Sequence, residues 1–178
     1  MTLPELIKTR RSTRSFEDRP IEPQVLTAIA ESALYAPSAM NRQAWHFTVL
    51  TKREEMDALA ALVKEALGLD EGYCFYAPAA FIIASNTRKN PMGADDCACA
   101  LQNIFLTAHA HVVGSVWINQ LRHVCDEPKV RELLTAYGVP ADHVVYGCAA
   151  LGYAAKPPRE KTIANGRITY LTTNETGE

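Results

Sequence analysis

The sequence predicts one domain of mixed helices and strands, and three observations carry that expectation. A chain of 178 residues suffices for a single domain with a sizeable core. Apolar residues recur at helical spacing over Glu22–Ala36, Arg53–Leu67 and Glu127–Tyr137. Short apolar runs of strand length lie at Trp45–Leu50, Ala79–Ser85, Gly114–Asn119 and Val144–Tyr153. No internal repeat, low-complexity block or linker interrupts the chain, so 1–178 is read as one domain, with 154–178 as a C-terminal arm.

In chain order, Leu3, Leu6 and Ile7 predict a short amphipathic helix that tolerates Pro4 in its first turn. It leads into Arg10-Arg11-Ser12-Thr13-Arg14. Asp18–Pro23 reads as a turn-rich connector. Val25, Leu26, Ile29, Ala33 and Ala36 then form one helical stripe, stopped by Pro37. Ser38–Gln43 is a polar loop into the first strand. Met56, Leu59, Ala60, Val63 and Leu67 give Arg53–Leu67 its core face, and Gly68 ends that helix. The following loop carries Tyr73, Phe75 and Tyr76, which either cover a ligand or pack against the domain. After the strand Ala79–Ser85, Asn86–Gly93 reads as a turn. Asp95–Val112 carries no charge beyond Asp96 and is apolar around most of its circumference, which predicts a central or interfacial helix. The tail from Ala154 is too polar to build a core of its own. It therefore lies along the domain or crosses to a partner, with a short strand expected at Arg167–Leu171.

Composition excludes several classes. A hydrophobic content of 48%, 21% charged residues and a net charge of −2 are those of an ordinary globular protein and not of a dedicated nucleic-acid binder. The uncharged run Cys97–Leu121 contains Gln102, Asn103, two histidines and Gly114, so it reads as a helix followed by a strand and not as a membrane span. No basic segment followed by an apolar one opens the sequence, so no signal peptide is expected. Five cysteines, an odd number, fit reduced thiols and a cytoplasmic location.

Chemistry concentrates in the arginine segment. If extended, it puts Arg10, Ser12 and Arg14 on one side; if helical, Arg10 and Arg14 share a face. Either arrangement offers two permanently charged forks, and the extended one adds a hydroxyl, which suits a phosphate. A solvated basic helix end is the plain alternative, and a basic arm for nucleic acid or a kinase-type Arg-Arg-Ser site are two others. Glycine-rich phosphate loops and the Gly-x-Ser-x-Gly elbow are absent, so a phosphate would be held by side chains. Cys97 and Cys99, like His109 and His111, are two apart on a helix and diverge, so no metal site is expected.

Four stretches together resemble the FMN-dependent nitroreductase family. Arg10–Arg14 is similar to its N-terminal flavin motif, and Ala36-Pro37-Ser38-Ala39-Met40-Asn41-Arg42-Gln43-Ala44-Trp45-His46-Phe47 to its second motif. Gly114-Ser115-Val116-Trp117-Ile118 resembles the strand beside the flavin. Leu151-Gly152-Tyr153 with Pro157-Pro158-Arg159 resembles the C-terminal pattern. Ala44 and Ala154 stand in place of prolines, and Asn119-Gln120 where small members often carry glycines.

The resemblance implies an α+β fold with a central, mostly antiparallel sheet surrounded by helices, in a domain-swapped homodimer with FMN at the interface. It implies that Arg10, Ser12 and Arg159 hold the FMN phosphate, that Arg11 lies along the ribityl chain, and that Arg14 sits by the N1/O2 edge as the electrostatic residue of the reaction. Pro37, Ser38 and Asn41 would come from the partner subunit over the ring. Main-chain groups of Trp117, Ile118 and Asn119 would approach the N5 edge. The implied reaction is ping-pong hydride transfer from NADH or NADPH, through FMN, to an electron-poor small molecule such as a nitroaromatic or quinone. No side-chain acid or base is assigned, and no nucleic-acid or membrane partner. Two alternatives are a flavin-binding storage or sensor protein without turnover, and a relative with other flavin chemistry such as reductive dehalogenation.

Overall fold

Strand β2, Ala80–Thr87, is buried along almost its whole length, and the rest of the fold is what buries it. Phe81 and Ile83 face one layer of helices, while Ala80, Ile82 and Ala84 face the other, as the two-residue period of a strand requires. The computed structural model describes residues 1–158, 160, 162, 163 and 165–171. Around β2 a four-stranded sheet forms in the order β1 (Trp45–Leu50), β2, β4 (His143–Gly152), β3 (Gly114–Ile118). Every adjacent pair is antiparallel, so the α+β architecture with an antiparallel sheet is what the chain adopts.

One face of the sheet is covered by α3 (Arg53–Leu67), α5 (Gln120–Val124) and α6 (Pro128–Ala136) through Met56, Leu59, Val63, Leu121 and Leu134. The other is covered by α2 (Pro23–Glu31) and α4 (Gly93–Ala110) through Ile29, Leu101, Ile104 and Ala108. Small residues in β4 admit large neighbours: a Cβ at Gly147 would lie 2.7 Å from the Trp117 ring, and one at Gly152 2.9 Å from Phe16.

Strand β1 and helix α3 keep the bounds expected from the sequence, and Gly68 caps α3 in the left-handed conformation at φ +61°. Other expectations need correction. The helix expected over Glu22–Ala36 is α-helical only to Glu31 and tightens into a 3-10 turn, Ser32–Tyr35, ahead of Pro37. Strand β2 runs to Thr87, taking two residues from the expected turn, because Asn86 and Thr87 pair with Val144 and His143. Helix α4 starts and ends two residues earlier than expected. Asn119 does not extend β3 but precedes α5, a five-residue helix too short for periodicity to reveal. Arg167–Leu171 form no strand, since no other described segment pairs with them. Helix α1 (Leu3–Thr9) forms as expected, but buries none of its residues: Leu3 and Ile7 are exposed.

Of the loop aromatics, Phe75 is fully buried and stacks on Phe81 at 4.5 Å, with Tyr73 edge-on to it at 5.3 Å, while Tyr76 is exposed. Packing therefore accounts for the first two. No helix among the described residues is long and apolar enough to cross a membrane.

Candidate functional site

The arginine segment begins where α1 stops at Thr9, and it is extended, so the helical arrangement of Arg10 and Arg14 is not the one adopted. Thr13 is buried and donates its N–H to the Ser115 carbonyl at 2.9 Å, while Ser12 and Ser115 form a parallel bridge on the free edge of β3. Further on, Phe16 bridges Ala154, Glu17 N–H donates to Tyr153 O at 2.8 Å, and Ala155 N–H donates to Ser15 O at 3.0 Å. The segment is thus fastened at both ends to the sheet, and strand alternation turns Thr13 inward and leaves Ser12 and Arg14 exposed.

Between this segment and the start of the tail lies a cleft of about 790 Å³, lined by Arg10 to Ser15, Lys156, Pro157, Pro158, Glu160 and Thr162. That volume is in the range of small-molecule and cofactor sites. Arg11 donates to the carbonyls of Lys8 and Arg10, at 2.7 and 2.8 Å, which steadies its fork. Partial burial, with Arg11 beside it, pulls the Arg10 guanidinium below its ordinary range. Among the described residues no carboxylate forms an ion pair with Arg10, Arg11 or Arg14. A desolvated cation beside a second cation is relieved by an anion, so these residues fit a phosphate, although Glu160 on the rim opposes it.

Sequence reasoning included Thr13 in the segment without giving it a role, and missed Lys156 and His109 as parts of this region. A smaller cavity of about 190 Å³ behind the arginines brings His109 of α4 beside Arg10 and Arg11, and His109 Nε2 lies 2.8 Å from Thr9 Oγ1. The signal for Thr13 was its alternation with Ser12 and Arg14; for His109 there was none, since its neighbours come from a distant segment.

Burial, then Arg10 and Arg11, holds His109 below the usual imidazole range, and burial does the same to His143 despite Asp142 nearby. Both histidines fold more readily neutral. Their contribution to stability is therefore present above the unfolded value of about 6.5 and is lost as pH falls through their depressed folded values. Thermal unfolding should show a melting temperature that declines as pH drops below about 6.5, and His109→Gln should make that decline shallower. A flat profile across this range would contradict the assignment.

The expected site residues at 37–41 and 117–119 do not line the cleft. Pro37 and Asn41 are exposed and Ser38 half-buried, in a loop where Met40, Asn41 and Gln43 adopt positive φ of 55°, 52° and 48°. Within it Ser38 Oγ accepts the Gln43 N–H at 3.1 Å, and Gln43 Nε2 donates to Asn41 Oδ1 at 2.7 Å. Trp117 is 39% exposed, Ile118 is buried in the core, and Asn119 is exposed at the head of α5. Arg159 lies outside the described residues, though Pro158 and Glu160 on either side of it line the cleft. Cys97 is buried and Cys99 exposed, pointing apart as their spacing requires.

Comparison with known proteins places this architecture. Over 167 residues the chain is 31% identical to a Methanothermobacter thermautotrophicus protein named "Putative NADH dehydrogenase/NAD(P)H nitroreductase", covering 89% of this chain and 80% of that one. A protein of the same name from Archaeoglobus fulgidus is 34% identical over 153 residues, 84% of this chain and 83% of its own. A crystal structure described as a nitroreductase with bound FMN, from Bacteroides fragilis, superposes with a TM-score of 0.93 at 39% identity, over 97% of this chain and all (100%) of that one. The family model "Nitroreductase family" matches residues 7–73 and 69–153, and the chain belongs to that family.

Proposed function

We propose that the protein is an FMN-dependent NAD(P)H oxidoreductase that passes electrons to an electron-poor acceptor such as a nitroaromatic or quinone. The observation that carries this reading is the cleft whose three arginines have no described carboxylate partner, set on a chain 39% identical to one described with bound FMN. Relatives named as NADH dehydrogenase or NAD(P)H nitroreductase support the choice of electron donor.

FMN, when bound, would supply the two-electron chemistry, and the protein would supply position and electrostatics. In this reading Arg10 and Ser12 hold the phosphate, joined by Arg159. Arg11 lies along the ribityl chain and Arg14 at the N1/O2 edge of the ring. Pro37, Ser38 and Asn41 would belong to the partner subunit's side of the ring, which agrees with their not lining the cleft of their own chain. The main chain from Trp117 to Asn119 would meet the N5 edge.

A homodimer follows from the same reading. Leu3, Ile7, Tyr35, Met40, Val112 and Trp117 are large apolar side chains left exposed, which a partner subunit would cover. The tail begins along its own domain, with Ala154 bridged to Phe16 and residues 156–158, 160 and 162 lining the cleft; beyond these it would cross to the partner.

Two titrations and one turnover assay test the proposal. Each charge-assisted bond to phosphate contributes about 1.5–3 kcal/mol, so riboflavin should bind at least about a hundredfold more weakly than FMN. The FMN-loaded protein should then oxidise NADH or NADPH with menadione as acceptor. Equal affinity for the two flavins would sink the phosphate assignment. A yellow protein that never turns over would leave it a flavin-binding protein and not an enzyme.

A further inference from the structure

We propose that Asp96 is a positioning residue for the cofactor: its buried carboxylate holds the Ser38–Gln43 loop in the shape that meets the flavin ring. This rests on the reading above, in which Ser38 and Asn41 lie over that ring. Asp96 is only 3% exposed. Its Oδ1 accepts the main-chain N–H of Ala39 at 2.8 Å, across 57 positions of sequence, and its Oδ2 accepts Asn90 Nδ2 at 2.8 Å. Asn90 in turn donates to Asn86 Oδ1 at 3.3 Å and accepts the Met92 N–H at 3.1 Å. Asn86 sits in β2, paired with Trp45 and Val144, so the chain of bonds runs from the loop to the middle of the sheet.

Two physical features make this more than packing. No cation among the described residues pairs with Asp96, and a carboxylate buried without one is costly; the first turn of α4 offsets only part of that. A small apolar residue would be the cheaper choice if stability alone mattered. The loop, meanwhile, holds Met40, Asn41 and Gln43 in the left-handed region, which side chains other than Asn and Gly enter rarely. Its other hydrogen bonds close on itself, through Ser38, Asn41 and Gln43. Among the described residues the Ala39–Asp96 bond is the one hydrogen bond that ties 38–43 to another element. Strained conformations persist only where the surroundings over-determine them, and Asp96 is what does so here.

Two substitutions cut this bond from opposite ends. Asp96→Asn keeps the size but removes the charge, and its amide can accept from only one of the two donors it faces. Ala39→Pro removes the N–H and leaves Asp96 untouched. With either variant, the dissociation constants of FMN and of riboflavin should both rise by about tenfold and by the same factor, because the loop serves the ring that the two flavins share. The double variant should be no worse than the single ones, as expected of two changes that break one interaction. Amide exchange at 40–43 should accelerate, and the visible circular dichroism of the bound flavin should change. If both flavin affinities stay at wild-type values, or if the two substitutions act additively, Asp96 merely supports the fold and the inference is overturned. Wild-type protein that binds neither flavin overturns the cofactor reading as well, so the two failures are distinguishable.

Discussion

Arg10→Met should lose its FMN on gel filtration, whereas Arg14→Met should keep most of it and show a midpoint potential lowered by about 20–45 mV. A generic basic patch would make the two losses alike. The structure separates them: Arg10 is partly buried at the end of α1, its guanidinium already disfavoured by burial and by Arg11, so it gains most from a bound phosphate. Arg14 is exposed further along the cleft, where the proposed binding mode puts the N1/O2 edge of the ring. A fixed cation about 4 Å from a developing negative charge contributes up to about 4 kcal/mol at an effective dielectric near 20. Solvent at an open site cuts this to about 1–2 kcal/mol. For a two-electron couple that corresponds to the stated shift in potential. Flavin occupancy and redox titration of both variants decide the matter, and matching behaviour would show that the two arginines do the same job.

The second large effect is expected at Gly114, where no charge is involved. A Cβ there would lie 2.7–2.8 Å from the Oγ1, Cβ and Cγ2 atoms of Thr13. The Thr13 Cβ is fixed to the backbone and cannot swing aside, and its residue is buried and tied by its N–H to Ser115. Gly114→Ala must therefore push the arginine segment off the edge of β3. Overpacking of this kind costs about 1–3 kcal/mol, which lowers the melting temperature by roughly 3–10 °C in a chain of this size. FMN affinity should fall with it, by about tenfold or more, because Ser12 and Arg14 flank the displaced residue. Gly72→Ala is the control: nothing lies within 4 Å of its added Cβ, and its stability should stay within about 0.5 kcal/mol of wild type. If the two substitutions are indistinguishable by thermal melts and flavin titration, Thr13 does not hold the segment in place.

Helical and strand periods are properties of a few neighbouring side chains, and they were legible wherever an element was long enough to repeat. The stripe of α3 and the run of β1 gave their own limits, whereas α5, with five residues, offered no repeat to read. The end of β2 was misplaced for a different reason. Asn86 is a poor strand former by type, and β4 pairs with it and with Thr87 nonetheless. In the same way α1 has the apolar spacing of a packed helix and yet none of its residues is fully buried within its own chain, Leu6 being only half-buried.

The sequence by itself determined the kinds and order of the longer elements, and the segment in which cationic forks and a hydroxyl would gather. These depend on composition and local spacing, which folding does not alter. Tertiary structure alone decided that the segment would be extended, because the ladder to Ser115 settles a choice that propensity leaves open. It alone brought the tail residues Lys156 to Pro158 to face Arg10 and His109 to stand behind it. It also placed Asp96 under Ala39, 57 positions away. Contacts of that range are set by how sheet order and helix packing close the chain on itself, and no pattern of neighbouring residues encodes them.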